Sequence, residues 1–122
     1  MPAGRGGKAV IPSQMLKGVL QGSVLAILSQ RETYGYEIVQ ALEKYGFGAI
    51  SEGTVYPLLL RLEKGGLIRA RFRASDLGPR RKYYTLTPAG QEELARFRTS
   101  FRAMAAAVER LPGFDQEKED AL

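Results

Sequence analysis

The sequence predicts a mainly α-helical fold with one small β-hairpin. Apolar residues recur every three or four positions over residues 13–65 and again over 87–111, which is the period of amphipathic helices. Over residues 67–86 the period changes to two, as in a strand with one buried face. The chain has 122 residues, of which 44% are hydrophobic and 25% are charged. This size and composition fit one globular domain followed by a helical extension.

Three helices are expected in the first half of the chain. The first spans residues 12–29, the second 35–45 and the third 52–64. Gly18 and Gly22 lie inside the first helix, where each costs about 1 kcal/mol relative to alanine. Their presence indicates either that another part of the backbone packs closely there or that the helix simply tolerates them.

The third helix has an apolar face and a polar face. Val55, Leu59 and Leu62 repeat at spacings of four and three, so they are expected to point into the core. The outward face then carries Thr54, Tyr56, Arg61 and Lys64. Cations bind phosphates or guanine edges and hydroxyls bind phosphate oxygens, so this face suits DNA. Leu60 departs from the polar pattern, and it either contacts thymine methyls or sugars or packs under the hairpin.

The hairpin is expected to consist of strands at residues 67–73 and 81–86, joined by a Gly-Pro-containing turn at 74–79. In the first strand, apolar residues alternate with three arginines, Arg69, Arg71 and Arg73. In the second strand, Tyr84 has the same parity as Leu86 and is therefore expected to face the core.

Positive charge is concentrated on the third helix and the hairpin. Residues 61–82 hold eight basic side chains against two acidic ones, whereas the net charge of the whole chain is +5. Residues 112–122 hold four acids against one lysine. A charge run is often only a solvated face. Here the basic residues share the hairpin and the adjacent helix face, which favours contact with nucleic acid.

The last helix is expected over residues 87–111, with Thr87 as its N-cap. Its large apolar residues form a heptad stripe: Leu94, Phe97, Phe101, Met104, Val108 and Leu111. At 1.5 Å per residue this helix is about 36 Å long, more than the preceding helices can cover. The stripe therefore predicts a subunit interface, with a helix packed only on its own core as the alternative.

The residue types that several classes of chemistry require are absent. The sequence has no Cys and no His, which excludes disulfides, thiol nucleophiles, imidazole bases and Cys/His zinc sites. The glutamates show no spacing typical of a paired catalytic site. We therefore expect no enzymatic activity, no cofactor and no metal. With no signal sequence and no run of about 18 apolar residues, the chain is expected to be cytoplasmic and not membrane-bound.

Three helices followed by a β-hairpin form the order of a winged helix-turn-helix, with the third helix as the recognition helix. The expected organisation is a disordered basic arm at 1–10, a winged helix-turn-helix DNA-binding domain at 11–86, a C-terminal dimerisation helix at 87–111 and an acidic tail at 112–122. A winged helix can also be a protein-interaction module without specific DNA binding. The cationic hairpin favours DNA over that alternative.

Four segments resemble, in order and spacing, the PadR family of bacterial transcriptional regulators. They are Tyr-Gly-Tyr-Glu-Ile at 34–38, Ser-Glu-Gly-Thr-Val-Tyr-Pro at 51–57, Arg-Leu-Glu-Lys-Gly-Gly-Leu-Ile at 61–68 and Arg-Arg-Lys-Tyr-Tyr-Thr-Leu-Thr-Pro-Ala-Gly at 80–90. The resemblance covers about residues 12–111 and is to the short, multidrug-sensing branch with a single C-terminal dimerisation helix. It implies a homodimeric repressor that binds a palindromic operator.

The resemblance also implies roles for individual residues. The DNA-binding set is Tyr36, Ser51, Gly53, Thr54, Tyr56, Arg61, Lys64, Arg80, Arg81 and Lys82. The dimer interface is implied to combine the heptad stripe with Leu16 and Leu20 of the first helix. The roles of two of these residues stay open. Tyr36 either faces DNA or packs the second helix against the hairpin. Gly53 either lets the helix start approach DNA or lets the chain turn tightly.

Members of the short branch often bind planar hydrophobic compounds between aromatic side chains at the dimer axis. On this sequence, such an effector would contact Met15, Gly18, Gln21, Arg98, Phe101 and Ala105. Phenylalanine stacks over less area than tryptophan, and Arg98 adds positive charge. These features leave open a neutral or anionic ligand, or a closed interface without one. Phe101 is accordingly either a ligand platform or only a residue of the interface core.

Overall fold

The computed structural model describes residues 11–75 and 77–115. Its helices are α1 (Ser13–Lys17), α2 (Leu20–Leu28), α3 (Gly35–Lys44), α4 (Glu52–Lys64) and α5 (Pro88–Glu109), and its strands are β1 (Thr33–Tyr34), β2 (Ile68–Ser75) and β3 (Gly78–Leu86). This architecture confirms the predicted fold class, a mainly helical winged helix-turn-helix with a long C-terminal helix. The basic arm at 1–10 and most of the acidic tail lie outside the described residues.

The helix predicted over 12–29 is interrupted, so that prediction was wrong in its continuity. Gly18 follows α1 with φ −81° and ψ −16°, and Val19 then leaves the helical region with φ −121°. A glycine followed by a β-branched residue is a weak point in a helix, because both have low helix propensity. Both segments still bury an apolar face, on which Leu16 and Leu20 lie.

Strand β1 was not predicted, because two residues are too few to show a period. It pairs antiparallel with β3, Thr33 opposite Tyr84 and Tyr34 opposite Tyr83, and the strand order of the sheet is β1-β3-β2. Strands β2 and β3 also extend further toward the tip than predicted, since residues 74–75 and 78–80 are strand rather than turn. The sheet is therefore larger than a simple hairpin, and its third strand joins it to α3.

The core lies between the first four helices and one face of the sheet. Its largest fully buried side chains include Leu25, Ile38, Leu42, Leu59 and Val55. The burial of Val55, Leu59 and Leu62 confirms the inward face predicted for α4, to which the structure adds Leu58. The sheet contributes Ile68 and Tyr84 to the core, as the parity of Tyr84 predicted.

Helix α5 is attached to this core only at its N-terminal half. Leu94 is 2% exposed, and the ring of Phe97 lies directly over Gly22 of α2. Packing at Gly22 is therefore close, but the neighbour is a side chain and not the backbone that the sequence indicated. Gly18, by contrast, has open space around it apart from the carbonyl of Met15.

The apolar stripe of α5 therefore divides into a buried part and an exposed part. Leu94 lies in the core of the protomer, as do Leu16 and Leu20 of the predicted interface set, so their burial is already accounted for within one chain. Beyond Phe97, four apolar side chains remain 40–59% exposed: Phe101, Met104, Val108 and Leu111.

Candidate nucleic-acid interface

The N-terminus of α4 is organised by Ser51. The Ser51 hydroxyl accepts a hydrogen bond from the backbone N–H of Thr54 at 3.2 Å, and its Oγ lies 3.1 Å from the Thr54 hydroxyl. This is the N-cap interaction expected of serine at this position. Both residues are exposed, as is Gly53 between them. The helix therefore presents an ordered, polar first turn to solvent.

Tyr56 projects from the outward face of α4 and rests on Gly35, the first residue of α3. A Cβ atom at position 35 would overlap the Tyr56 ring, so glycine is required for this contact. Partial burial, and then the neighbouring Glu52 carboxylate, raise the pKa of the Tyr56 hydroxyl above its ordinary value of 10.0. The hydroxyl is therefore a protonated hydrogen-bond donor at neutral pH. The DNA-binding set had omitted Gly35, although it lies within the Tyr-Gly-Tyr segment.

The remaining predicted residues of the helical part are also exposed. Arg61 and Lys64 lie on α4 facing solvent, and Tyr36 of α3 is 48% exposed. Leu60 is 49% exposed, so the structure does not enclose it under the hairpin. The hydroxyls and cations that the sequence placed on this face are therefore open to solvent.

The hairpin is a less uniform cationic surface than the sequence suggested. Lys82, predicted to contact DNA, instead has its Nζ 3.1 Å from Glu63 Oε1, and contact with this carboxylate raises the pKa of the Lys82 ammonium. Arg80 and Arg81 are exposed and lie over aromatic rings, with 5.1 Å from Arg80 Cζ to the Phe72 ring centroid and 4.6 Å from Arg81 Cζ to that of Tyr34. The two arginines remain open to solvent, whereas Lys82 is engaged within the protomer.

Glu32, which the sequence analysis did not single out, pairs with two hairpin arginines. Its carboxylate accepts from Arg71 at 2.6 and 3.2 Å and from Arg73 at 3.0 Å. The Arg71 hydrogen bond holds the pKa of the Glu32 carboxyl below its ordinary value of 4.5. The pairing spans about forty positions along the chain, so no local sequence pattern could have indicated it.

The predicted effector residues are only partly brought together in one protomer. Gly18 and Gln21 line a cleft of about 250 Å³ with Phe97 and Glu93. Met15, Arg98, Phe101 and Ala105 do not line it. Phe101 is 43% exposed and lies beside Phe97, with ring centroids 5.9 Å apart.

The part of the chain that the structure describes contains neither a cluster of metal ligands nor a membrane-spanning helix. Within residues 11–75 and 77–115, no three or more carboxylates group closely enough to hold a metal ion. Nor does any described helix have the length and apolar character needed to cross a membrane.

A protein-family model for the transcriptional regulator PadR-like family matches residues 24–96, which is more than half of the chain. The chain belongs to the PadR-like family of transcriptional regulators. The match runs from α2 through the hairpin into the buried half of α5. It therefore includes the whole candidate interface of this PadR-like chain.

Solved structures and a curated relative agree with this assignment. A PadR-like transcriptional regulator from Bacillus cereus is 51% identical, with a TM-score of 0.72, over 79% of this chain and 93% of that one. A transcriptional regulator from Mycobacterium tuberculosis is 35% identical over 85 residues, covering 70% of this chain and 78% of the relative. Bacillus subtilis PadR in complex with operator DNA is 30% identical, with a TM-score of 0.60, over 65% of this chain and 45% of that protein.

Proposed function

We propose that this PadR-like chain is a homodimeric repressor that binds a palindromic operator. The observation that carries the proposal is the exposed face of α4, where Thr54, Tyr56, Arg61 and Lys64 lie beside a hairpin with outward arginines. A similar fold, that of Bacillus subtilis PadR, has been solved with operator DNA, which supports this use of the face. In this arrangement α4 enters the major groove and the hairpin reaches the adjacent backbone.

The residues of this face divide by the contacts that their chemistry permits. Arg61, Lys64 and the hairpin residues Arg80 and Arg81 neutralise phosphates or reach guanine edges. The hydroxyls of Thr54 and Tyr56 donate to phosphate or base acceptors and set the register of the helix. Ser51 and Gly53 allow the first turn to lie close to the duplex, and exposed Tyr36 borders it. Lys82 contributes only after it leaves Glu63.

Dimerisation would use the exposed half of the α5 stripe. Exposed Phe101, Met104 and Val108 on one face of α5, followed by Leu111 just after its end, are unfavourable in water, and a second copy would bury them. The dimer presents two α4 helices to the same duplex, which matches a palindromic operator with half-sites about 34 Å apart.

An effector would act at this same interface. Phe101 and Met15 are exposed in the protomer, so their neighbours in a dimer include the second copy. A planar hydrophobic compound between the two Phe101 rings, bordered by Gly18, Gln21, Arg98 and Ala105, would change the packing of the two α5 helices. Because each α5 is anchored to its own winged domain, such a change would alter the distance between the two α4 helices.

The test is a gel-shift titration of the purified protein on the DNA upstream of its own coding sequence, repeated across salt concentrations. We expect a specific shift that weakens steeply with salt, because phosphate contacts release counterions. Lys64→Ala and Arg81→Ala should each make the salt slope shallower by roughly one. Arg96→Ala, on the exposed surface of α5, should leave the slope unchanged.

Three results would contradict parts of the proposal. Absence of a specific shift on any genomic fragment would refute operator binding and favour the protein-interaction alternative. Unchanged slopes for Lys64→Ala and Arg81→Ala would refute their assignment as phosphate ligands. A panel of planar compounds that never alters the shift would argue against an effector at the dimer interface.

A further inference from the structure

The outer face of the sheet carries three arginines, Arg69, Arg71 and Arg73, that the proposed operator contact does not use, beside Arg81, which it does. In the strand register, Arg69, Arg71 and Arg73 lie opposite Thr85, Tyr83 and Arg81, and Tyr83 lies opposite Tyr34. Since Ile68 and Tyr84 face the core, these residues project from the other side. We call this surface the outer sheet face: Tyr34, Arg69, Arg71, Arg73, Arg81 and Tyr83.

Aromatic rings hold the guanidinium groups of this face in place. Arg73 Cζ lies 4.7 Å from the Tyr83 ring centroid, and Arg81 Cζ lies 4.6 Å from that of Tyr34. The two rings meet edge to face, with centroids 5.2 Å apart. A guanidinium stacked on a ring keeps its N–H edge free for hydrogen bonds. These arginines are therefore preordered for an anionic partner, which lowers the entropy cost of binding.

Among the described residues, a single carboxylate pairs with this face. Glu32 is the carboxylate that pairs with it, 2.6 Å from Arg71 and 3.0 Å from Arg73. Even so, the side chains of Arg71 and Arg73 are 67% and 51% exposed. Arg73 and Arg81 lie directly opposite each other, a like-charge pair that costs folding free energy. Within the described residues, these exposed arginines share one carboxylate and include a like-charge pair, which favours binding of an external anion.

The outer sheet face is continuous with the proposed DNA-binding face of α4. Tyr34, which stacks under Arg81, is also the N-cap residue of α3. The next residue, Gly35, lies against the Tyr56 ring of α4. A duplex bound along α4 and passing Tyr34 and Arg81 would thus meet Arg71 and Arg73 next.

We propose that the outer sheet face binds the phosphate backbone of DNA flanking the operator half-site, with Arg69, Arg71 and Arg73 as ligands and Glu32 as an internal competitor. The inference rests on the proposed operator binding by α4. Phosphate contacts carry no sequence information, so this face adds affinity that depends on duplex length and salt. Glu32 occupies guanidinium groups that phosphates would otherwise bind, and so it restrains binding to DNA outside the operator.

The test compares two duplexes: the palindromic half-sites alone, without flanking DNA, and the same half-sites extended by about one helical turn on each side. Affinity is measured by fluorescence anisotropy across salt concentrations. Within the described residues, Arg69 makes no side-chain hydrogen bond or ion pair, so Arg69→Ala keeps the contacts of the fold. The control is Arg96→Ala on α5, outside the sheet, where the Arg96 guanidinium lies 2.7 Å from Glu93.

On the extended duplex, we expect Arg69→Ala to reduce the salt slope by about 0.9, the value for one phosphate contact. Arg71→Ala combined with Arg73→Ala should reduce it further, and Glu32→Gln should make it steeper. On the duplex without flanking DNA all variants should match wild type. Circular dichroism and thermal unfolding show whether the double variant is folded. If it is not, the salt slopes of Arg69→Ala and Glu32→Gln decide whether the outer sheet face contacts DNA.

The outcomes separate the two proposals. If wild-type protein binds the extended duplex but Arg69→Ala and Glu32→Gln behave like Arg96→Ala, the outer sheet face is not a DNA contact and the proposed function stands. Equal losses on both duplexes would also overturn the flanking assignment. If wild-type protein binds neither duplex but the variants alter capture of an acidic protein, the face serves a protein partner and both proposals are wrong.

Discussion

Gly53 is the second residue of α4, and its nearest neighbour for an added Cβ is the Ser51 hydroxyl at 3.6 Å. Its φ is not positive, so the chain does not need glycine there to turn. The tight-turn alternative for Gly53 is therefore removed, and a close approach to DNA stays our proposal. Ser51 is also exposed, and its hydroxyl is already engaged as the N-cap of α4. We therefore expect Ser51 as well to allow a close approach of the duplex.

The substitution Gly53→Ala separates folding from DNA binding. Alanine favours a helix by up to about 1 kcal/mol over glycine, so the free energy of unfolding should stay equal or rise. The added methyl should weaken operator affinity by about tenfold, equivalent to roughly 1.4 kcal/mol. Urea denaturation and anisotropy measure the two effects, with Gly65→Ala at the other end of α4 as the control. Unchanged affinity in Gly53→Ala would contradict the assignment.

Glu32 gives stability a pH dependence whose sign follows from its lowered pKa. The pKa of the Glu32 carboxyl is lower in the folded state than its unfolded value near 4.5. Its ionised form therefore stabilises the fold at pH values above 4.5. This contribution is lost as the pH falls through the folded-state pKa. Glu32→Gln should therefore be less stable than wild type at pH 7, and the difference should shrink in acid. Urea denaturation at several pH values checks this. A difference of equal size at pH 3 would show that Glu32 acts through packing instead.

At the scale of elements, the junction between α4, β2 and α5 fixes α5 to the winged domain. The Thr87 hydroxyl donates to the carbonyl of Gly66 at 2.6 Å and accepts from the N–H of Gly90 at 3.1 Å. Gly90 itself lies so close to the Leu67 carbonyl that a Cβ would overlap it. The direction of α5 is therefore fixed by contacts with the backbone just after the end of α4.

Gly90→Ala tests the rigidity of this junction. The neighbour is backbone and cannot rotate away, so α5 must shift, and we expect a loss of about 1–3 kcal/mol in the free energy of unfolding. Operator affinity should fall as well, because the distance between the two winged domains depends on α5. Thermal and urea unfolding measure the first effect, with Gly53→Ala as the comparison. Wild-type stability would show that the contact is not constrained.

The elements also show what the sequence could and could not predict. Helices α3 and α4 and the hairpin followed from periodicity and capping residues, since their contacts are local. Strand β1 and the Glu32 pairs depend on residues far apart in the chain, and no local pattern reports them. The break at Gly18 and Val19 was hidden because the apolar period continues across it. The ion pair of Lys82 was missed for the same reason as those of Glu32, because Glu63 lies on another element.

At the scale of the whole molecule, the exposed half of the α5 stripe predicts self-association. Met104 is 51% exposed in the middle of that stripe. Met104→Glu places a charge where a second copy would bury an apolar side chain, so light scattering should give a monomer of about 13.4 kDa instead of a dimer. Thr99→Glu, on the other side of α5, is the control and should remain dimeric. A dimer in both variants would place the interface elsewhere.

Binding of a palindromic operator by a dimer requires two winged domains to contact one duplex together. Hydroxyl-radical footprinting of the upstream fragment tests this most directly, since it reports binding, stoichiometry and spacing in one measurement. We expect two protected patches related by the symmetry of a palindrome, with centres about 10 base pairs or a multiple of that apart, and loss of both patches in Met104→Glu. A single protected patch, or protection that Met104→Glu leaves unchanged, would contradict this expectation.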